Sequence, residues 1–336
     1  MKAAVLQGVG QLQVMEWPER ELGPEEVRIR VKCCGICGTD QHIYHGQPGS
    51  AAVSTPIVLG HELSGEVMAC GSGVTALKPG DRVSVDPNMY CGGCEYCQTG
   101  RPQLCDHLQA VGVTRDGGMG EICIVPAANC YKLPDNMSYV EGAMVEPLGC
   151  VVHGFKKLDV KPVHKVLLIG GGFIGQLFLQ LFRSRGPAQI TVSDPAVEKH
   201  ALLRQSGADE TVVPTPEVAE QLRNSADIVV ECVGRKESME LAVRAARKGG
   251  QVLLFGVASP QTGIEVSPYE IFTKELRIYG SFINPHTHPD AIALLRSGIV
   301  EVERLVSHRF KLDELPEAMA QYGKLGVSKG VIAHEG

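Results

Sequence analysis

The sequence predicts an α/β protein in which a doubly wound parallel sheet is inserted into a mainly β domain. Residues 166–279 alternate short apolar runs with amphipathic segments at helical spacing, which is typical of a parallel sheet covered by helices. The first 150 residues contain short strands broken by turns, and from about residue 286 the pattern becomes irregular. We therefore expect one domain built from residues 1–150 and 286–336, with an α/β domain of residues 151–285 inserted into it.

Local patterns in the first 150 residues support the β assignment. Residues 27–31 alternate apolar and polar side chains, as a half-buried strand does. A turn is predicted at residues 78–81, where Pro79 and Gly80 are adjacent, and a further strand follows at residues 82–85.

The inserted domain begins with a predicted strand, a glycine-rich turn and a helix. Residues 166–169 form a continuous apolar run of the kind that is buried on both faces of a parallel sheet. The helix is predicted from apolar residues at helical spacing, which are Ile174, Leu177, Phe178 and Leu181. Four more strands are predicted, at residues 190–192, 228–230, 252–255 and 276–279. Further helices are predicted around residues 200–205 and across a set that shares one face, namely Met239, Ala242, Val243 and Ala246.

Composition and charge exclude two classes of partner. The chain has 336 residues and a net charge of −6, and it contains no run of like charges. It lacks the basic stripe that neutralises phosphates, so no nucleic acid partner is expected. No stretch of about 18 apolar residues occurs, and the N-terminal residues contain no signal-peptide core, so no membrane association is expected. We interpret the twelve cysteines as reduced thiols of a cytoplasmic protein, some of them metal ligands.

The most specific local signal is a group of cysteines at the spacing C-x2-C-x2-C-x7-C, formed by Cys91, Cys94, Cys97 and Cys105. Four thiolates this close in sequence can surround one tetrahedral ion, and Cys₄ is a standard ligand set of structural zinc. The two glycines between the first pair of cysteines let the backbone curl tightly. The alternative is a cluster of disulfides, which nothing else in the sequence favours.

The glycine-rich turn at residues 170–175 matches the G-x-G-x-x-G fingerprint of dinucleotide binding. It follows a predicted strand and opens a predicted helix, and Asp194 ends the next strand 19 positions beyond Gly175. The helix N-terminus would bind the pyrophosphate. Asp194 would accept hydrogen bonds from the adenosine ribose and repel a 2′-phosphate, which favours NAD over NADP. Two alternatives stay open: Asp194 could be a helix N-cap before Pro195, and Lys199 could be a solvated lysine rather than a contact at the adenosine end.

A second metal site of different composition is predicted nearer the N-terminus. Its candidate ligands are Cys37, His61 and Glu62. Thiolate, imidazole and carboxylate groups all bind zinc, and three protein ligands leave a position for substrate or water. Cys34 and Cys37 also have the C-x-x-C spacing of redox motifs. However, Cys34 continues the alternation of the preceding strand, so we expect it to pack inward.

Taken in order, these motifs resemble the zinc-dependent medium-chain alcohol dehydrogenase family. The matching segments are GICGTD at residues 35–40, GHE at residues 60–62, the cysteine group and the nucleotide fingerprint. The resemblance covers essentially the whole chain and implies a GroES-like catalytic domain with both zinc sites and a Rossmann NAD-binding domain. EPL at residues 146–148 further resembles the polyol, or sorbitol-type, branch, which has a glutamate where other alcohol dehydrogenases use a second cysteine as ligand.

The resemblance implies roles for the residues of the second site, with two zinc ions per subunit in all. Cys37 and His61 would ligate the catalytic zinc, and Glu62 would be the third protein ligand or would exchange with water. Glu146 would touch the ion directly or hold its water. Cys150, one helical turn beyond Glu146, is an alternative ligand.

The resemblance also implies a route for the proton of the substrate hydroxyl. Thr39 matches the hydroxyl relay position of the family, and His42 matches its exit base. The alternatives are a turn-stabilising threonine and a surface histidine. Asp40 is expected to brace His61 as a hydrogen-bond acceptor.

The nucleotide site is expected to contain residues from the ends of several strands. They are Gly170, Gly172, Phe173, Ile174, Gly175, Asp194, Lys199, Val233, Val257 and Ser281.

The substrate is predicted less sharply than the reaction. In sorbitol dehydrogenases an Arg-Tyr pair near the end of the nucleotide domain contacts the sugar, whereas residues 280–284 here read GSFIN, so both side chains are replaced. Another sugar alcohol, an inositol, a sugar acid or a vicinal diol fits as well as sorbitol. Tyr44 is a candidate for reading a substrate hydroxyl or else a packing residue, and we expect His286 and His288 to be solvated rather than to face the substrate.

The sequence therefore predicts an NAD-dependent zinc dehydrogenase that oxidises a secondary hydroxyl of a polyol, sugar alcohol or sugar derivative to a ketone. One alternative is a dehydrogenase for a non-carbohydrate alcohol, diol or amino alcohol such as threonine. An alternative of another class is a non-catalytic redox sensor that binds zinc and NAD. The resemblance also implies a homodimer or homotetramer, in which the strand at residues 276–282 pairs across subunits.

Overall fold

The computed structural model describes residues 1–334, and the chain divides into two compact units. One unit contains Met1–Gly149 together with the chain from Ile283 onward, and the other is Cys150–Phe282. Among the residues described, no helix is long and apolar enough to span a bilayer.

The N-terminal part of the first unit is mainly β. Its strands are β1 (Lys2–Gly8), β2 (Gln11–Glu16), β3 (Glu26–Ile36), β4 (Ile57–Val58), β5 (Glu62–Cys70), β6 (Arg82–Val85), β7 (Asn88–Met89), β8 (Gln109–Ala110), β9 (Ile122–Pro126) and β10 (Cys130–Lys132). Its helices are α1 (Gly38–Tyr44), α2 (Glu95–Gln98) and α3 (Tyr139–Phe155), the last of which continues into the second unit.

The second unit alternates strands and helices as the sequence pattern predicts. Its strands are β11 (Lys165–Ile169), β12 (Gln189–Ser193), β13 (Glu210–Val212), β14 (Ala226–Glu231), β15 (Ala246–Leu254) and β16 (Arg277–Gly280). Its helices are α4 (Phe173–Arg185), α5 (His200–Gln205), α6 (Pro216–Gln221), α7 (Lys236–Ala245) and α8 (Pro268–Lys274). The tail contributes α9 (His288–Arg296), β17 (His308–Phe310), α10 (Leu315–Gln321) and β18 (Gly330–Ala333) to the first unit.

The strand β3 organises the largest sheet of the first unit, whose order is β10-β6-β5-β3-β18-β17, with β9 also paired to β3. Residues 27–31 of β3 alternate between more and less buried positions, in line with their apolar and polar alternation. In the antiparallel pairing with β5, Gly35 lies opposite Glu62, and in the pairing with β18, Ile36 lies opposite Gly330. These two registers bring the starts of β5 and β18 to the end of β3, where the candidate metal ligands lie.

The second unit contains a parallel sheet of order β13-β12-β11-β14-β15-β16. The order reverses between β11 and β14, which gives the sheet the doubly wound topology of dinucleotide-binding domains. The apolar run at residues 166–169 is buried in its centre, as expected for a strand covered on both faces.

One helix is shorter than the sequence pattern predicts. The helix α7 ends at Ala245, and Ala246 instead opens β15, where it pairs with Ala226. Ala246 is fully buried in the strand. The prediction that it lies on the helix face was wrong because a buried alanine satisfies the helical period and the strand equally well.

Candidate active site and metal centres

The mixed ligand group forms where β3 ends and β5 begins. Cys37 is the N-cap of α1, directly after β3, whereas His61 and Glu62 stand at the start of β5. One ligand atom from each of the three residues lies within 4.8 Å of the others. Gly35 makes this approach possible, because a Cβ on it would overlap the Glu62 carboxylate.

Asp40 contacts two of these residues from inside α1. Its Oδ2 accepts the backbone N–H of Cys37 at 2.8 Å, and its Oδ1 lies 3.4 Å from His61 Nδ1. Asp40 is fully buried and His61 nearly so. The carboxylate thus lies behind the histidine, but within the described part of the chain neither of these two atoms has a hydrogen-bond partner, so the bracing of the His61 ring by Asp40 stays a prediction.

The charges around His61 favour a cation at this place. Burial alone lowers the pKa of His61, but Asp40 and Cys37 outweigh it and raise the pKa well above its usual value. These two groups therefore stabilise a positive charge at the position of His61. A sulfur, a nitrogen and a carboxylate oxygen at this spacing fit Zn²⁺, and they leave room for a further ligand.

Lys329 is a member of the site that the sequence analysis missed. Its Nζ forms a buried ion pair with Glu62 Oε2 and donates to the carbonyl of Ile36 at 3.2 Å. Burial opposes its charge, but Glu62 and Cys37 reverse this effect and raise the pKa of Lys329. No motif marks this lysine, which lies 267 residues from Glu62 and arrives through the pairing of β18 with β3.

Glu146 is buried in α3, on the part of the helix that belongs to the first unit. It is not a member of the group of three residues whose ligand atoms lie within 4.8 Å. Cys150 lies one turn further along α3 and is half-buried. The ligand or water-holding role of Glu146 stays a prediction.

The two predicted relay residues share one face of α1. Thr39 and His42 are three positions apart, which places them one above the other on a helix. Both are half-buried, so each could connect a buried site with solvent. Tyr44, by contrast, is buried and donates its hydroxyl hydrogen to the carbonyl of Gly10 at 3.1 Å, which favours its packing role.

The cysteine group forms a second, separate centre. The four sulfurs of Cys91, Cys94, Cys97 and Cys105 all lie within 4.8 Å of one another. Backbone N–H groups point at them, as from Cys94 to Cys91 Sγ at 3.3 Å and from Cys91 to Cys105 Sγ at 3.4 Å. The Sγ atoms of Cys91 and Cys97 lie 4.0 Å apart, and none of the four cysteines forms a disulfide. This geometry is not that of disulfides and fits a tetrahedral Cys₄ metal site.

The pKa values of two cysteines of this centre are shifted in opposite directions. Backbone hydrogen bonds from Cys97 and Asp106 help lower the pKa of Cys94 to about 6. Burial and the neighbouring sulfurs raise the pKa of Cys97 to about 12. Deprotonation of one thiol therefore disfavours deprotonation of its neighbour. A bound divalent cation would stabilise several thiolates together.

The predicted nucleotide residues lie at one edge of the parallel sheet. Each follows the carboxyl end of its strand, with the glycine turn after β11, Asp194 after β12, Val233 after β14, Val257 after β15 and Ser281 after β16. This is the edge at which open α/β sheets bind ligands. Lys199, half-buried, follows Asp194 in the short turn that precedes α5.

The glycines of the fingerprint are required by backbone geometry. Gly170 has a φ of +99°, and a Cβ on Gly175 would overlap the carbonyl of Gly170. Gly172 is the N-cap of α4 and faces open space, so a phosphate can approach the helix end formed by Phe173 and Ile174.

Asp194 does not cap a helix. Its Oδ2 accepts the N–H of Gly171 at 2.7 Å, and its Oδ1 accepts the N–H of Ala196 at 2.8 Å. It thus ties the end of β12 to the glycine turn. Each carboxylate oxygen can still accept another hydrogen bond, as ribose hydroxyls would supply.

The segment after Phe282 departs from the sequence expectation at one residue. His288 is fully buried, stacks on Tyr131 with ring centroids 5.0 Å apart, and lies 3.2 Å from the carbonyl of Val85 through Nε2. Burial lowers the pKa of His288 to about 4. The prediction of a solvated histidine was wrong here because β6 and β10 cover it, whereas His286 is exposed.

Comparisons with known proteins agree with this geometry. The family model of the alcohol dehydrogenase GroES-like domain matches residues 23–135, and that of the zinc-binding dehydrogenases matches residues 174–297. Sorbitol dehydrogenase of Homo sapiens is 36% identical over 332 residues, which cover 95% of this chain and 92% of that protein. D-altritol 5-dehydrogenase of Agrobacterium fabrum is 36% identical over 310 residues, which cover 91% of each.

A solved structure extends the similarity to the whole backbone. A protein described as a zinc-binding dehydrogenase from Sinorhizobium meliloti 1021, bound to NADP, matches with a TM-score of 0.94 at 37% identity over 99% of both chains. Fold and site together define a dehydrogenase that uses zinc and a nicotinamide dinucleotide. The chain belongs to the zinc-binding, medium-chain alcohol dehydrogenase family, and the predicted fold class, a Rossmann sheet inserted in a GroES-like domain, is confirmed.

Proposed function

We propose that the chain oxidises a secondary hydroxyl of a polyol, sugar alcohol or sugar derivative to a ketone, with NAD as the hydride acceptor. The observation that carries this proposal is the group formed by half-buried Cys37 with buried His61 and Glu62, a three-ligand set in a chain that also has a dinucleotide-binding sheet. Relatives named as sorbitol and D-altritol dehydrogenases support the polyol class.

The zinc ion, when bound, lowers the pKa of a coordinated hydroxyl and fixes the position of its oxygen. Cys37, His61 and Glu62 would hold the ion, and Asp40 would keep His61 oriented for this role. Thr39 Oγ1 would accept the proton of the substrate hydroxyl while its own proton passes to a ribose hydroxyl of the bound cofactor. His42 would take a proton from that ribose and release it to solvent. Glu146 would contact the ion or hold its water, two roles that a crystal structure with zinc and substrate would separate.

The preference for NAD is part of the proposal and rests on Asp194. A buried carboxylate at the end of β12 would accept hydrogen bonds from the ribose hydroxyls and would repel a 2′-phosphate. The similar structure from Sinorhizobium meliloti holds NADP, so the preference needs its own measurement. We expect a higher kcat/KM with NAD than with NADP, and Asp194→Ala should reduce or reverse the ratio.

Sorbitol is not the favoured substrate. In the segment where sorbitol dehydrogenases have an Arg-Tyr pair, residues 280–284 of this chain contain neither arginine nor tyrosine. Asn284 is fully buried, accepts a hydrogen bond from Asn88 Nδ2 at 2.6 Å and lies 3.3 Å from His288 Nδ1. Its amide is thus engaged within the protein, so the polyol would be recognised by other groups.

The test is an absorbance screen at 340 nm for NADH formation. The panel contains sorbitol, D-altritol, other sugar alcohols, an inositol, a sugar acid, a vicinal diol and threonine, each with NAD and NADP and with and without a chelator. We expect turnover of one or more polyols that the chelator abolishes. Zinc-loaded protein that binds NADH but oxidises none of these compounds would instead support a non-catalytic sensor, and turnover of threonine or the diol alone would favour a non-carbohydrate substrate.

We also propose that the chain forms a homodimer or a homotetramer through the edge of its parallel sheet. The strand β16 pairs with β15 on one side only, and its Ile278 is exposed. Tyr269 and Phe272 on the preceding helix are exposed as well, which gives an apolar surface. Light scattering after size exclusion should give a dimer or tetramer, and Ile278→Lys should shift it toward monomer. We further propose a cytoplasmic location, which is supported by the grouping of Cys91, Cys94, Cys97 and Cys105 as a candidate metal centre.

A further inference from the structure

Glu231, the last residue of β14, is a fully buried carboxylate in the second unit. Its Oε1 accepts the backbone N–H groups of Val233 at 2.7 Å and Gly234 at 2.9 Å, and the hydroxyl of Ser238 at 2.8 Å. The side chain therefore fixes the turn that leads from β14 into α7.

The backbone of Glu231 fixes a second turn. Its carbonyl accepts the N–H groups of Phe255 and Gly256, each at 2.9 Å, directly after β15. The two turns touch, because a Cβ on Gly256 would overlap the backbone nitrogen of Gly234 and lie 2.7 Å from Glu231 Oε2. A Cβ on Gly234 would in turn lie 2.8 Å from the carbonyl carbon of Val257. One residue thus sets the relative position of both turns.

The remaining oxygen of Glu231 shows that this arrangement is costly. Among residues 1–334, Oε2 is buried and has no hydrogen-bond partner, and Glu231 forms no ion pair. A buried carboxylate without a cation loses much of its hydration energy. Its backbone contacts could be made by less costly groups, so its presence at a turn of the ligand-binding edge points to a positional role.

The strand order shows which half of the cofactor these turns would meet. The glycine turn and Asp194 follow β11 and β12, which belong to the half of the sheet that binds the adenosine and pyrophosphate. The strands β14 and β15 lie beyond the reversal point, in the other mononucleotide half. Val233 and Val257, at the tips of the two turns, are 42% and 65% exposed. Exposed apolar side chains at the carboxyl ends of these strands can pack against an aromatic ring.

We infer that Glu231 is a positioning residue, which holds the turns carrying Val233 and Val257 in the arrangement that receives the nicotinamide half of the cofactor. The inference rests on the proposed use of NAD. It gives Glu231 no chemical step, since Glu231 acts through the two valines and their backbone.

The test compares NADH with ADP-ribose, which lacks the nicotinamide. Glu231→Gln keeps the shape of the side chain but replaces one carboxylate oxygen with an NH₂ group. In the position of Oε1 this NH₂ group would face three hydrogen-bond donors, and in the position of Oε2 its own two N–H bonds would be buried without an acceptor. We expect the Kd for NADH to rise on the order of tenfold, with that for ADP-ribose unchanged within about twofold. The blue shift of NADH fluorescence on binding should shrink as well, since it reports the surroundings of the nicotinamide.

The matched control is Asp227→Asn on the same strand. Asp227 is also buried and accepts the backbone N–H of Lys165 at 2.8 Å, but at the opposite end of β14. The Asp227→Asn variant should have a lower melting temperature, but its Kd for NADH and its Kd for ADP-ribose should change to the same extent. The inference would be overturned if Glu231→Gln weakened the binding of NADH and of ADP-ribose equally, or weakened neither.

A milder variant keeps the test decisive if Glu231→Gln does not fold. Ser238→Ala removes the hydroxyl that contacts Oε1 and, with it, the contacts of this hydroxyl to the backbone of Arg235. We expect it to raise the Kd for NADH about threefold and to spare ADP-ribose, and an unchanged Kd would count against Glu231. Wild-type protein that binds NADH but oxidises no polyol would refute the proposed function, yet the ligand comparison would still decide the role of Glu231. Wild-type protein that does not bind NADH would overturn both.

Discussion

The two metal centres lie in the same unit but are built in opposite ways. The cysteine centre takes all four sulfurs from residues 91–105, with backbone N–H groups pointing at them. The mixed centre has its candidate ligands next to the end of β3 and the start of β5, where Asp40 contacts Cys37 and Lys329 contacts Glu62. A closed site can be built by one short loop, whereas an open, reactive site needs the support of strands that are distant in sequence.

The largest effect is expected from His61→Ala, which separates the two centres. Removal of this ligand should lower the zinc content from two to one per chain, because the four cysteines are untouched. Turnover of the best polyol should fall by at least roughly 10³-fold, since the Lewis acid is lost. Metal analysis and the 340 nm assay check both outcomes.

The control for this variant is His107→Ala. His107 is exposed beside the cysteine centre and donates only its backbone N–H to Cys105 Sγ, at 3.4 Å. Two zinc ions and full activity should remain. If His61→Ala kept its second zinc ion, or His107→Ala lost one, the assignment of ligands to the two centres would be wrong.

The next effect tests whether the mixed centre depends on Lys329. In zinc-free protein Lys329→Met leaves Glu62 buried without a cation, and we expect the free energy of unfolding to fall by about 3–5 kcal/mol. Chemical denaturation measures this loss, with the exposed Lys324→Met as a control that should change little. The double variant with Glu62→Gln should be less destabilised than the sum of the single changes. A Lys329→Met protein as stable as the wild type would show that the ion pair does not support the site.

The same contrast explains how far the sequence could predict the molecule. The cysteine spacing and the glycine fingerprint are local, so their residues could be named before the fold was known. The candidate ligands Cys37, His61 and Glu62 could be named from their chemistry, but only the family resemblance implied which role each would have. Lys329 carries no local signal, because its partner is reached only when β18 pairs with β3.

Burial by distant segments accounts for the other differences. His288 belongs to a polar segment and was expected in solvent, but Tyr131 and Val85 cover it from β10 and β6. Ala246 was predicted to lie in a helix because it continues the helical spacing of the apolar residues before it. Its pairing with Ala226 shows that it belongs to the strand β15. In each case the deciding contact joins residues that a local pattern does not relate.

A smaller effect within the mixed centre is expected from Thr39→Val, which replaces none of the candidate ligands. If Thr39 Oγ1 accepts the hydroxyl proton, turnover should fall by roughly 10²-fold or more while two zinc ions remain bound. Thr39→Ser keeps the hydroxyl and should restore most of the rate. Assays at 340 nm with parallel metal analysis provide the comparison. A valine variant with wild-type turnover would remove Thr39 from the proton route.

The smallest effect tests whether the cysteine centre is encoded by its own loop. Gly92 has a φ of +70°, and a Cβ added to it meets nothing within 4 Å, so the cost of Gly92→Ala is the left-handed backbone alone. We expect about 1 kcal/mol, or a five- to tenfold loss of zinc affinity in chelator competition. Gly93→Ala is the matched control, because Gly93 is outside the left-handed region and its added Cβ meets only the Cys91 carbonyl at 4.0 Å. Polyol turnover should not change in either variant. Equal zinc affinities for the two would mean that contacts beyond the loop, and not its backbone geometry, determine how tightly the cysteine centre holds its ion.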